Sequence, residues 1–299
     1  PRINNKGLIY ADRTPKDVYY YYQAVWRKDI PVLHLASRDW THRAGIQQGD
    51  APVCLPVKVY SNLPEVELFI DGKSVGKQKT VNYAATFEVP FSSKEPFLRV
   101  QGDYQGTKIQ DALKVTFQPI PAQLHATNLK HLELAINVGS QCFFTSDESQ
   151  LTWLPDQPYT AGSWGYIGGK EQETKTEIHH TADGPLFQAF RNDLEGYRFD
   201  LPKGVYEVEL LFTDIFSQNS SAAYLLEQDG KQESRENSFN ISINGNMVEE
   251  KFSPCKESNY FHALRKKYII NNETDHLEIR FQAVSGHSFL NGIKLRTIY

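Results

Sequence analysis

The sequence predicts an all-β chain: two β-sandwiches in series, with one short N-terminal helix. Three observations carry this. Apolar residues recur at every second position in short runs, the spacing of strands buried on one face. Tight-turn pairs such as Asp71-Gly72 and Asn244-Gly245 join successive runs. Aromatics make up 12% of 299 residues, with 16 Tyr and 17 Phe against one Met, a bias towards pleated, half-buried surfaces. That length suits two domains better than one core.

The helix comes first. Thr14-Pro15-Lys16-Asp17 reads as its start, with Thr14 as cap, Pro15 in the first helical position and Asp17 in the first turn. Val18, Tyr22, Val25 and Trp26 then recur at helical spacing, and Pro31 ends the run. A lone amphipathic helix must bury its stripe against something.

Strands follow from Pro31 to Phe117. Val32 to Leu35 is the first, and Val57 to Tyr60 alternates. Val66, Leu68 and Ile70 point one way, and Asp71-Gly72 turns the chain into Lys73 to Gly76. Phe87, Val89 and Phe91 alternate again, and Phe97 to Val100 and Leu113 to Phe117 complete the set. This pattern suggests an immunoglobulin-like sandwich.

These residues carry a resemblance. Asn4-Asn5-Lys6-Gly7-Leu8, Asp12 to Asp17 and Tyr20-Tyr21-Tyr22 resemble the end of the catalytic barrel in glycoside hydrolase family 2. Val57 to Asn62 and Glu65 to Gly76 resemble the sandwich behind the barrel in β-galactosidase-like members. The resemblance covers roughly the first 120 residues and implies that the helix is the barrel's last. The family's two catalytic glutamates match nothing in this sequence. Retaining glycosidases hold two carboxyls about 5–5.5 Å apart, and no motif positions such a pair. Asp12 and Asp17 read as turn and first-turn residues.

Gln118-Pro119-Ile120-Pro121-Ala122-Gln123 reads as a stiff linker. Leu132, Leu134, Ile136 and Val138 then predict a half-buried strand, and Thr176 to His179, Leu186 to Arg191 and Tyr197 to Leu201 read as further strands. Val205 to Phe212 is the strongest, with Tyr206, Val208, Leu210 and Phe212 on one face. Phe239, Ile241 and Ile243 alternate up to Asn244-Gly245, and Leu277 to Ala283 and Phe289 to Leu295 close the second sandwich.

Tyr159 to Gly169 holds four glycines and three large aromatics. It reads as a shaped loop rather than a regular element, with left-handed backbone at several glycines. Tyr159, Trp164 and Tyr166 are apolar rings with polar tips, suited to a sugar ring in a partly wet site. The same rings would also serve to plug the end of a sandwich.

Several pieces together resemble malectin and the malectin-like carbohydrate-binding modules. They are Ile136-Asn137-Val138-Gly139, Ala161 to Tyr166, Pro185-Leu186-Phe187-Gln188, Tyr206 to Asp214, Phe239 to Gly245 and Leu290-Asn291-Gly292-Ile293. The resemblance implies a jelly roll that holds carbohydrate by loop aromatics and an aspartate. It carries over to Tyr166, to Phe187, and to Phe216 following Asp214, with Asn291 as a positional candidate only. Phe187 and Phe216 keep stacking faces but lack the hydroxyl of tyrosine. The polar stretch from Ser217 to Asn237 reads as an inserted loop.

The expected organisation is residues 1–30 as the end of a catalytic barrel, 31–118 as an immunoglobulin-like sandwich, 119–123 as linker and 124–299 as a malectin-like sandwich. The expected role is a non-catalytic part of a glycosidase, binding an oligo- or polysaccharide and bracing the upstream barrel of the same chain. The alternative is a scaffold that binds no sugar. Net charge −4 and pI near 6.2 argue against nucleic acid, and no run has membrane length. No cofactor or metal site is expected: His179-His180 reads as surface strand, and Cys54, Cys142 and Cys255 as buried thiols with one disulfide possible. The chain opens on Pro1 and reads as part of a longer protein. By the resemblance that protein is exported to the periplasm or cell surface.

Overall fold

A computed structural model describes residues 7–125, 132–146, 149–215 and 236–298. The chain forms two compact units that divide between Pro119 and Ile120. Among the described residues no helix is long and apolar enough to cross a membrane.

In the first unit α1 (Asp17–Trp26) begins later than the sequence predicts. Lys16, not Thr14, is the N-cap, and no side chain caps it. Thr14 is already engaged: Asp12 accepts from its backbone N–H and its hydroxyl, each at 2.9 Å. Pro15 bridges back to Ile9 rather than opening the helix. Asp17 does stand in the first turn, where it accepts from His34 Nε2 at 2.9 Å and from the Ser37 N–H. Tyr20 stacks on the His34 ring at 3.7 Å. Both contacts tie the helix to the first strand.

Nine strands follow: β1 (Leu33–Leu35), β2 (His42–Gln47), β3 (Val53–Ser61), β4 (Glu65–Ile70), β5 (Lys73–Lys79), β6 (Ala84–Phe91), β7 (Phe97–Tyr104), β8 (Thr107–Lys114) and β9 (Thr116–Pro121). They form sheets in the order β1-β3-β6 and β5-β4-β7-β8, with β2 and β9 paired apart. Alternation sets the core. Val57 and Val59 of β3, with Phe87 and Val89 of β6, pack in one buried cluster with Val66 and Leu68 of β4 and Leu98 and Val100 of β7. The β4–β5 turn has left-handed backbone at both Asp71 and Gly72, as a two-residue hairpin requires.

The second unit adds β10 (Glu133–Asn137), β11 (Phe144–Thr145), β12 (Thr152–Pro155), β13 (Trp164–Glu173), α2 (Gly184–Gln188), β14 (Ala189–Phe199), β15 (Gly204–Phe212), β16 (Ser238–Ile243), β17 (Asn246–Phe252), α3 (Pro254–Ser258), β18 (Leu264–Asn272), β19 (Leu277–Ser285), β20 (Phe289–Leu290) and β21 (Gly292–Ile298). One sheet runs β11-β12-β10-β21-β15-β18, the other β13-β14-β19-β16-β17 with β20 on β14.

Three sequence expectations change here. Leu186 to Gln188 is helical, because Pro185 suits a first helical turn and two successive side chains, Leu186 and Phe187, are both buried. Thr176 to His179 is not a strand and makes only a bridge from His179 to His262. Residues 134–137 are buried on both faces rather than one. Their outer face lies under a second apolar cluster of Ala135, Leu151, Trp153, Ile178, Leu186, Phe187 and Leu211.

The glycine-rich stretch is also not a free loop. Trp164 to Gly169 opens β13 and pairs with β14, with a bulge at Ile167/Gly168. The left-handed backbone expected of its glycines is present at Gly162, Gly168 and Gly169. Gly165 is needed for close approach. A Cβ there would lie 2.4 Å from the backbone of Pro158 and Tyr159, which runs alongside.

Gly139 has φ +75°, and a Cβ there would lie 2.2 Å from the Phe190 carbonyl oxygen. Gly245 has φ +77° but open space around it. Gly245→Ala should cost about 1–2 kcal/mol, the penalty of left-handed backbone alone. Gly139→Ala should exceed about 3 kcal/mol, since strain and a backbone clash combine. Urea unfolding of both variants checks this, and equal losses would show that the Phe190 contact constrains nothing.

Candidate functional site

Four residues expected to touch sugar are sealed inside the second sandwich. Trp164, Phe187, Asp214 and Asn291 are each 0% exposed. Trp164 lies opposite Phe199 in the β13–β14 register, in the core. Phe187 belongs to the second apolar cluster, with the Arg265 guanidinium 5.2 Å from its ring centre. Asn291 is a structural tie: its Oδ1 accepts from the Thr213 N–H at 2.7 Å, and its Nδ2 donates to the carbonyls of Phe187 and Ala189. Asp214 accepts from Asn237 Nδ2 at 3.2 Å. None of the four has a face to offer a ligand, so they are corrected to packing and hydrogen-bonding roles. Phe216 lies outside the described residues, as does most of the stretch from Ser217 to Asn237.

Tyr159 and Tyr166 remain, both partly exposed. Their backbones are bonded: the Tyr159 N–H donates to the Tyr166 carbonyl at 3.0 Å, and the Tyr166 N–H donates to that of Gln157. This close approach is the one that Gly165 permits.

Each ring is set by an arginine and an aspartate. The Tyr159 hydroxyl donates to Asp200 Oδ2 at 2.8 Å. Asp200 also accepts from the Gly162 N–H at 2.6 Å and from Arg198 Nε at 2.9 Å. The Arg198 guanidinium stands 5.4 Å from the Tyr159 ring centre. Burial alone would raise the Asp200 carboxyl, but bonds from Arg198, Tyr159 and Gly162 outweigh it and hold the group below its ordinary value. The Tyr159 phenol is raised in turn, by burial and by its bond to Asp200.

Tyr166 lies under Arg191, whose guanidinium is 3.4 Å from the ring centre. Arg191 is buried, and its Nε donates to Asp156 Oδ2 at 3.0 Å. Asp156 also accepts from the Tyr197 hydroxyl at 2.6 Å and from the Gly139 N–H at 2.9 Å. Burial pushes the Asp156 carboxyl up against these donors and pushes the Tyr197 phenol well up. The result is a rigid rim of two phenol rings, each with an arginine over it. Such a rim can offer ring edges and polar tips to a polyol.

Sequence reasoning did not single out Arg191, Asp156, Tyr197, Arg198 or Asp200. The one available signal is a charged residue inside an apolar run, as Arg191 follows Phe187-Gln188-Ala189-Phe190. A buried charge requires a partner, but the sequence does not say which.

The structure also brings His262 to His179 and His180, with ring centres 5.4 and 4.5 Å away. No group of three His, Cys, Asp or Glu among the described residues is suited to a metal. The three cysteines are free thiols, but Cys54 and Cys142 are exposed rather than buried. Cys54 falls on the outward phase of β3, where buried and exposed positions alternate.

Comparison with known proteins gives the two units different relatives. A malectin domain model matches residues 132–294, more than half of the chain. A domain of unknown function, DUF4982, matches residues 54–110. A crystal structure of a Bacteroides uniformis β-glucuronidase is 70% identical with a TM-score of 0.91, covering 100% of this chain and 34% of that one. A second structure, the β-glucuronidase 2 of that species covalently bound to cyclophellitol-6-carboxylate aziridine, is also 70% identical, with a TM-score of 0.90 and the same coverage. A β-glucuronidase of Bacteroides fragilis is 36% identical over 103 residues, 33% of this chain and 14% of the relative. The chain thus spans about a third of the length of the structural relatives it matches. It belongs to the malectin domain family, and as a whole it matches the C-terminal region of bacterial β-glucuronidases.

Proposed function

We propose that this chain is the non-catalytic accessory region of a retaining family 2 glycoside hydrolase. In this reading the first unit braces the catalytic barrel, and the malectin domain presents a shallow carbohydrate-binding rim. The observation that carries the reading is 70% identity to a β-glucuronidase over the whole of this chain. The relatives' names favour β-glucuronides as substrates of the longer protein over the β-galactosides that the sequence resemblance implies. A periplasmic or cell-surface location goes with this proposal.

Two physical features support it. Among the described residues, three buried carboxylates of the second unit are engaged internally. Asp156 serves Arg191 and Tyr197, Asp183 serves Ser146, and Asp200 serves Arg198 and Tyr159. A glycosidase pair must instead face a shared substrate bond. In the first unit α1 leaves an aromatic stripe in the open: Trp26 is 67% exposed, with Tyr22 stacked on it at 4.8 Å, and Val18 is 38% exposed. A stripe of this kind suits the barrel surface that the proposal places against it.

A second reading, bracing without sugar binding, has its own observation. Trp164 and Phe187 are sealed, and Arg191 covers a face of Tyr166. A glycan array on the 299-residue chain separates the two. The rim should bind a neutral disaccharide at roughly millimolar strength, and Tyr159→Ala or Tyr166→Ala should weaken that about tenfold. Binding by no glycan, or binding unchanged in both variants, leaves the bracing role alone.

The rim also sets a pH dependence. Asp200 is held below its ordinary value, so its ionised form stabilises the fold above that value. The contribution is lost as pH falls through the lower, folded value. The Asp200 contribution to rim binding should therefore hold from neutral pH down to the ordinary carboxylate range and fail below it, whereas Asp156, pushed up by burial, takes its proton at a higher pH. In Asp200→Asn only the loss below the ordinary range should vanish, as calorimetry across that range would show.

By itself the chain should leave a chromogenic β-glucuronide intact. Measurable hydrolysis by the purified chain would overturn the non-catalytic reading.

A further inference from the structure

We propose that the outer face of the β5-β4-β7-β8 sheet in the first unit is a second carbohydrate site, one that takes a hydroxyl-rich saccharide. It goes beyond the rim in the malectin domain, since it lies in the other unit and uses other chemistry.

A groove of about 350 Å³ opens on this face, lined by Glu65, Glu67, Lys77, Gln101, Asp103 and Lys108. Pockets for small ligands begin at about 300 Å³. Strand register assembles the lining. Glu67 stands opposite Lys77 on β5 and Gln101 on β7. Two positions along, Asp103 stands opposite Lys108 on β8. Residues directly opposite share a face, so these polar groups stand together by construction.

The groups are also held in place. Glu67 accepts from the Ser74 hydroxyl at 2.8 Å and from Gln101 Nε2 at 3.0 Å. The Gln101 Oε1 accepts from Arg99 at 3.3 Å, which fixes the amide's orientation. The Asp103 Oδ1 accepts from the Gly106 N–H at 3.0 Å. Ser74 first and Gln101 second keep the Glu67 carboxyl below its ordinary value, so it stays an acceptor in mild acid.

This lining alternates acceptors with donors. A sugar hydroxyl both donates and accepts, so it can bridge a carboxylate and a neighbouring ammonium or amide. Net charge does not select among sugars here: Lys79 stands opposite Glu65 and the Arg99 guanidinium bonds Gln101, so the carboxylates of this face are matched by cations. The site is open, and its affinity is expected in the millimolar range.

The test is an NMR titration of the isotopically labelled chain with maltotriose, cellotriose, mannotriose and trigalacturonate, each to about 10 mM. At least one of these trisaccharides should shift the amides around Glu67 and Gln101 in a saturable way. Gln101→Ala and Lys77→Ala should each weaken that binding about tenfold, the loss of one good hydrogen bond. Both side chains lie on the outer face, and an unchanged thermal midpoint will show that the variants fold. Tyr159→Ala should leave these shifts intact. No response here to any of these trisaccharides, or undiminished binding in Gln101→Ala, would overturn the proposal. Shifts confined to Tyr159 and Tyr166 would overturn it while supporting the rim.

Discussion

One buried ion pair fixes the rim of the malectin domain. Arg191 is buried with Asp156, and Asp156 also accepts from Tyr197, Gly139 and its neighbour Gln157. Removing either partner of such a pair strands the other charge and typically costs about 3–5 kcal/mol. The pair ties the turn after β10, the end of β12 and the start of β14 to one point. It also places a guanidinium against Tyr166. The surface that is offered to solvent is therefore positioned by a charge that solvent scarcely reaches.

The second constraint is a sheet covered on both faces. Strand alternation assumes one wet face, and in the first unit that holds: β3 reads buried at every odd position from Val53 to Ser61. That is why the first sandwich, the Asp71-Gly72 hairpin and the phase of β4 could be read from residues alone. In β15 Leu210 and Leu211 are both buried, as are Leu134 to Asn137 in β10. A period of two cannot express this. The cover comes from α2 and the residues around Leu151 to Trp153, distant in sequence, and only the fold brings them there.

The site was legible in composition and illegible in orientation. Glycines with aromatics do mark a place of close backbone approach, and Tyr159 and Tyr166 do lie together on it. Trp164 and Tyr166 are two apart on one strand and so share a side. One is sealed and the other is partly exposed because their cross-strand partners and neighbours differ, Phe199 for Trp164 and Tyr197 with Arg191 for Tyr166. No local pattern encodes that difference. The same holds for the helix start. Thr14 has the right chemistry for a cap, but Asp12, two residues earlier, takes its hydroxyl first.

These limits bear on how each unit would recognise a saccharide. A sugar presents C–H faces and hydroxyl edges, and good recognition uses both. The malectin domain has turned most of its aromatic content inward, so its rim offers ring edges and two arginine-held phenols. The outer sheet face of the first unit offers the opposite half, fixed polar groups without an open ring among the residues lining its groove. Each half alone is expected to be weak.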